Sequence, residues 1–149
     1  MPNKATPLQR IAVESNRRGR VQFVTGCITI LDGSMIDGDL VAVLGGEHAH
    51  YVLSGAEGGV EGYWPRVWAA RGLLHCYEPI ASEVIGTALQ DKSWRVREML
   101  LKVIARYEIN ELIEDIVPLR DDPIERVRLT VERVLRKLTS DPTIPKKPI

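Results

Sequence analysis

Three observations predict an all-α chain built as a stack of short helix pairs. First, one leader is repeated loosely three times: Gly62-Tyr63-Trp64-Pro65-Arg66-Val67, Lys92-Ser93-Trp94-Arg95-Val96-Arg97 and Pro123-Ile124-Glu125-Arg126-Val127-Arg128. Aligning the Arg-Val pairs gives a period of about thirty residues, the length of a supersecondary unit that must stack because it cannot bury its apolar face alone. Second, the residues behind each leader recur at helical spacing, as in Val96, Met99, Leu100, Val103, Ile104 and Tyr107. Third, the one run with strand-like composition, Arg17 to Leu31, has no partner strand elsewhere in the chain.

The elements follow in order. Residues 1–6 are expected to fray. Pro7 suits a helix start, and Leu8, Ile11 and Ala12 form a short stripe ending near Asn16. From Arg17 to Leu31 the residues Val21, Val24, Ile28 and Leu31 keep a helical period, so this run is read as helix. Asp32-Gly33-Ser34 breaks it. A helix over Ile36 to Leu44 then ends at Gly45-Gly46, and a short one covers Glu47 to Leu53 before the glycine-rich Ser54 to Gly62. Residues 1–62 thus read as degenerate repeats that cap the N-terminal end.

In residues 63–139 the pattern is regular. Pro65 sits in a first helical turn, where its missing N–H costs nothing, and Val67, Ala70, Arg71 and Leu74 mark the inward face. Glu78-Pro79 turns the chain into a second helix, Ile80 to Leu89, packed through Ile80, Val84, Ile85 and Leu89. Ser93 to Tyr107 and Ile109 to Val117 form the next pair, the latter facing inward with Ile109, Leu112, Ile113 and Ile116. A last helix runs from Pro123 to Leu138 with Val127, Val131, Val134 and Leu138 inward. Residues 140–149 carry Pro142, Pro145 and Pro148 and are expected to be a non-helical tail.

Length and composition set limits on function. A chain of 149 residues fits one domain with a real core. Its 20 Lys and Arg balance 20 Asp and Glu, so no global field attracts nucleic acid or an anionic membrane, and any electrostatic function must come from local segregation. Cys27 and Cys76 sit among apolar neighbours, far apart in sequence, and read as buried reduced thiols. Arg17-Arg18-Gly19-Arg20 before an apolar run mimics a secretion signal. Gln22 and Thr25 interrupt the run, Asp32 ends it, and no small-x-small cleavage site follows. The run is also too short to span a bilayer, so a cytoplasmic protein without membrane attachment is expected.

Asp91-x-x-x-Arg95-Val96-Arg97 and Asp122-x-x-x-Arg126-Val127-Arg128 resemble the Asp…Val-Arg signature of HEAT repeats, and the unit length resembles the short HEAT class. Tyr63-Trp64-Pro65-Arg66-Val67-Trp68 and the residues after it are similar to small stand-alone bacterial HEAT proteins. The resemblance covers residues 63 to 138 and implies a right-handed α-solenoid of short HEAT-like helix pairs. It also implies a ladder in which a loop aspartate and the second arginine bond neighbouring repeats: Asp91 and Arg97, then Asp122 and Arg128. In the first repeat Gly62 stands at the aspartate position and Trp68 at the arginine position, so the ladder is expected to stop there, with Trp68 packing on the N-terminal cap.

Charge is segregated by helix type. First helices carry Arg66, Arg71, Arg95, Arg97, Arg126 and Arg128 among other cations, whereas the second helices carry Glu83, Glu111, Glu114 and Asp115. In HEAT stacks the second helices line the concave face, so the resemblance implies an acidic groove there. Solvated helix surfaces would produce the same pattern. A partner protein with a basic segment is the functional expectation for Glu83, Glu111, Glu114 and Asp115. A nucleic-acid surface built from Arg66, Arg95 and Arg126, with Arg17, Arg18 and Arg20 as a further basic knot, is the alternative.

No catalytic motif stands out, and no cofactor or enzymatic activity is expected. His48 and His50 lie two apart on a helix and diverge, and His75 lies at a helix end. Trp64, Trp68 and Trp94 fall near corresponding places in adjacent repeats and read either as seam packing or as a binding patch. Far-UV circular dichroism should show a helical spectrum without substantial β content.

Overall fold

The computed structural model describes residues 4–139, and among these the ordered elements are helical, with no strand. The first helix, α1 (Pro7–Arg18), starts with a capping box: the Thr6 hydroxyl accepts from Gln9 N–H, and the Gln9 side chain accepts from Thr6 N–H. It runs to Gly19, whose φ of 93° closes it and opens α2 (Arg20–Leu31). The boundary therefore falls three residues beyond Asn16, at the one residue that adopts such a φ without a Cβ penalty. The strand-like run is a helix, but its face is rotated from the expected one. Phe23, Val24, Cys27, Ile30 and Leu31 are buried, whereas Val21 is 53% exposed. The run is apolar nearly all round, so its own period does not choose a side. Packing against α1 and α5 does.

Asp37 caps α3 (Gly38–Gly45) by accepting from Leu40 N–H, and it pairs with Arg18 at 2.9 Å. Burial acts to raise the Asp37 pKa, but the Arg18 guanidinium and the backbone donors outweigh it and hold the carboxyl below its ordinary value. After Gly46 comes α4 (Glu47–Leu53), followed by turns of 3-10 type over Ala56–Glu61.

The central element is α5 (Trp64–His75). Val67, Trp68, Ala69, Ala70 and Leu73 are buried, and the helix contacts α2, α3 and the later α7 (Trp94–Tyr107). Small residues allow the close approach. A Cβ on Gly72 would lie 2.9 Å from Cys27 Sγ, and one on Gly45 of α3 would lie 2.6 Å from the Trp68 ring. Of the expected inward positions, Val67 and Ala70 are buried, while Arg71 and Leu74 are half-buried at the margin.

The second helices are shorter than their sequence periods suggest. A 3-10 turn, Pro79–Ala81, precedes α6 (Ser82–Ala88). Ile85 and Leu89 are buried there, but Ile80, an expected core residue, is 54% exposed and Ala81 is buried in its place. The run expected as one helix from Ile109 to Val117 is a 3-10 turn, Asn110–Leu112, then α8 (Ile113–Ile116), then a second 3-10 turn, Val117–Asp121. Pro118 lacks the N–H that would continue α8. Ile109, Leu112 and Ile116 still face the core, so the apolar pattern survives the loss of regular helix. The last helix is α9 (Glu125–Leu138), with Val127, Val131, Val134 and Leu135 buried. The proline-bearing segment 140–149 lies outside the described residues, as do residues 1–3 of the expected frayed start.

The long helices contact one another in sequence: α2 with α5, α5 with α7, and α7 with α9. On the other side, α6 packs on α7 and α8 packs on α9. One continuous apolar core runs between them, each fully buried aliphatic side chain contributing about 1.5–3 kcal/mol. Val96 of α7 has no exposed surface. Val96→Asp should cost about 3 kcal/mol or more in urea unfolding, because it buries an unpaired carboxylate.

Candidate functional site

Three side-chain systems stand out from the core: a ladder of arginines and aspartates, a cluster of aromatic rings, and the carboxylates of the second helices. The ladder has a repeating pattern. Arg97 of α7 donates from Nε and Nη2 to the Asp122 carboxylate at 2.7 and 3.1 Å, and from Nη1 to the Asp91 carbonyl at 2.7 Å. Each aspartate also heads its own turn, since Asp91 Oδ1 accepts from Ser93 N–H and Asp122 Oδ1 from Ile124 N–H. Arg128 repeats the short-range half, donating from Nη1 to the Asp122 carbonyl at 2.6 Å. The Arg97–Asp122 pair is well shielded, with 10% and 2% side-chain exposure.

The ladder does not stop at Asp91 but continues to Arg66 at the start of α5, which corrects the expectation. Arg66 donates from Nε and Nη2 to the Asp91 carboxylate at 2.7 and 3.2 Å, and from Nη1 to the Gly62 carbonyl at 3.0 Å. Its bonds match those of Arg97 one for one. Gly62 lacks the carboxylate but supplies the carbonyl, and an arginine two residues before the Trp68 position supplies the fork. Sequence alignment by the Arg-Val pair hid this, because it placed Arg66 opposite Arg95. Arg66 is thus a ladder residue and not part of a free basic surface.

The other proposed basic residues are similarly engaged. Arg126 bonds Glu98, a buried carboxylate of α7 that also pairs with Lys102 at 3.5 Å. In the N-terminal basic knot, Arg17 bonds Glu14, Arg18 pairs with Glu14 and Asp37, and Arg20 bonds Glu78. Arg71 and Arg10 both donate to the Leu44 carbonyl at the end of α3, where cations meet the negative end of the helix dipole. Burial, and next the Arg10 charge, push the Arg71 pKa down. Arg95 is different: it holds no carboxylate among the described residues and lies over aromatic rings instead.

The aromatic cluster begins at Trp68, which is buried and stacks on Trp64 with centroids 6.0 Å apart. His48 of α4 lies 5.3 and 5.5 Å from these two rings and bonds Glu57 at 3.0 Å. His48 is therefore a packing partner of the tryptophans, and the cluster continues to Tyr63 beside Trp64. Trp64 Nε1–H is buried and has no hydrogen-bond partner among the described residues. The His75 pKa is pushed down by burial and then by the charges of Arg106 and Arg71. Among the described residues no group of three or more His, Cys, Asp or Glu could hold a metal ion. Cys27 and Cys76 are free and buried, and burial pushes both thiols up.

Glu83, Glu111, Glu114 and Asp115 are all exposed, and no cation among the described residues pairs with them. Asp115 lies along α6, its Oδ2 3.5 Å from where a Cβ on Gly86 would stand. Glu111 lies near Tyr77, whose hydroxyl pKa is raised by burial and then by the Glu111 charge. Carboxylates of one turn-and-helix segment thus sit beside α6 without internal neutralisation.

Among the described residues, no helix is long and apolar enough to cross a membrane. Compared with known proteins, the chain matches no family model, no curated protein and no solved structure. Its chemistry therefore has to be argued from its own residues. Asp122→Ala should lower stability by about 3–5 kcal/mol in urea unfolding, since it strands the buried Arg97 guanidinium. Replacing Arg97 and Asp122 together by apolar residues of similar size should recover much of that loss.

Proposed function

We propose that the protein is a non-enzymatic HEAT-like repeat module, a right-handed α-solenoid, that holds a basic segment of another protein against the acidic residues of its second helices. The observation that carries this reading is that the second-helix carboxylates lack internal neutralisation, whereas the arginines of the basic knot and of the ladder are paired. Arg17, Arg18, Arg20, Arg66, Arg97 and Arg126 each hold a carboxylate of the chain itself. Glu83, Glu111, Glu114 and Asp115 hold no described cation. A chain with balanced formal charge therefore presents uncompensated negative charge on the second helices. Such a face attracts basic segments and repels phosphates.

The repeat reading is supported by the matching bonds of Arg66 and Arg97, which join consecutive units through equivalent loops. The buried free thiols fit a reducing, cytoplasmic setting. Nucleic-acid binding through Arg66, Arg95 and Arg126 is the weaker reading, because two of those three guanidiniums are already paired.

A pull-down from native extract with the parent and with the Glu111→Gln, Glu114→Gln, Asp115→Asn variant tests the proposal. A salt-sensitive partner should be captured by the parent and lost from the variant. Retention of every partner by the variant would reject the acidic face. Tight binding of duplex DNA that survives physiological salt and disappears on replacing Arg95 and Arg126 would favour nucleic acid instead.

A further inference from the structure

We infer that the first turns of α5 and α7, with the adjoining cleft against α9, form a second recognition site, one that takes an acidic peptide segment bearing an apolar side chain. The site is distinct from the acidic second helices and does not depend on them. Its centre is Arg95, whose guanidinium carbon lies 5.4 Å from the Tyr63 ring centroid, 5.8 Å from that of Trp64 and 4.6 Å from that of Trp94. Rings on several sides restrict the guanidinium, while its in-plane N–H donors bond no atom of the described chain. A guanidinium held over aromatic faces with its fork unoccupied is preorganised for a carboxylate. Little side-chain entropy is left to lose when the anion arrives.

Trp94 carries the site onward. Arg126 lies 5.5 Å from its centroid and leads into a cleft of about 490 Å³ lined by Lys102, Leu129 and Arg133 together with Glu98 and Glu125. Leu129 is 56% exposed, so the cleft offers an aliphatic contact. The Glu98 carboxylate is already taken up by Arg126 and Lys102. Counting Arg95, four cations face two carboxylates, which selects an occupant of negative charge. Aromatic rings beside a free arginine also have the composition of residues that dominate binding energy at interfaces. A nucleic-acid strand would need a line of unpaired cations following its backbone. Arg66 and Arg126 are bonded within the chain, which leaves Arg95 alone on that line.

The test uses the full chain and the acetylated, amidated hexapeptide Asp-Glu-Phe-Asp-Glu-Leu, followed by tryptophan fluorescence and by calorimetry. The parent should bind it saturably, and the Asn/Gln counterpart of the peptide should bind at least about tenfold more weakly. Arg95→Met should weaken the acidic peptide by a similar factor, while Arg136→Met, on the solvent side of α9, should leave it unchanged. Arg95→Lys keeps a positive charge but loses the planar fork and should give an intermediate loss. It decides the matter if thermal melting shows that Arg95→Met is misfolded. Absence of saturable binding to the parent, equal binding of the neutral peptide, or full affinity in the folded Arg95 variants would overturn the proposal. So would tighter binding of a decathymidylate strand than of the peptide at physiological salt.

Discussion

The arrangement of this protein depends on a bonded pair: an arginine on one long helix reaching the aspartate that opens the next. An ion pair as shielded as Arg97–Asp122 is not a source of large net stability, because desolvating both groups offsets most of their attraction. What the pair supplies is position. The fork of Arg97 needs both carboxylate oxygens in plane, and its Nη1 needs the Asp91 carbonyl, so the start of α7 is tied to the loop behind it and the loop ahead. Apolar contacts between helices tolerate sliding more readily than a bidentate bond does. Arg66 makes the same three bonds one unit earlier, so the constraint is applied twice along the row of long helices.

The helices of residues 63–138 were legible because their long members follow a helical apolar period and carry turn residues between them. Val96, Leu100, Val103 and Ile104 are all fully buried, where the period puts them. Legibility failed where an element is apolar on all sides or too short to show a period. For α2, Val21 and Phe23 are equally apolar, and only contact with α5 decides that Phe23 goes inside. In the region of α8, the periodic Ile109, Leu112 and Ile116 gave the burial correctly and the conformation wrongly, because 3-10 turns bury nearly the same residues as a regular helix. Arg66 was misread for a third reason. A pairwise bond between residues 25 apart leaves no periodic trace, and the glycine at position 62 masked the carbonyl that takes part.

Charge accounting changes the functional picture more than any single residue does. By sequence the first helices are basic and the second acidic, a symmetric contrast. In the folded chain Arg66, Arg97 and Arg126 are consumed internally, which thins the basic contrast without removing it, while the second-helix carboxylates pair with no cation of the described residues. Three cations that hold no carboxylate are fixed in other ways: Arg10 and Arg71 at the carbonyl end of α3, and Arg95 among aromatic rings. Only the last of these leaves its hydrogen-bonding edge open. An acidic face and a separate cationic, aromatic ridge can therefore coexist on a chain of balanced charge.

The two ends of the row of long helices are finished differently. Toward the N-terminal side, Trp68 packs on Gly45 and His48, and Arg71 holds the end of α3, so the space beside α5 is filled by apolar and hydrogen-bonded groups. At α9 the ladder arrives with Arg128, which bonds the Asp122 carbonyl as its predecessors bond theirs but meets no further carboxylate among the described residues. Glu125, Glu132, Arg133 and Arg136 give this last helix a charged exposed surface, with Arg120 and Glu132 paired across it. A charged surface of this kind keeps a helix soluble, since an apolar face left open would invite association. The exposed Leu129 is the departure from that rule, and it lies in the cleft that adjoins Trp94 and Arg126.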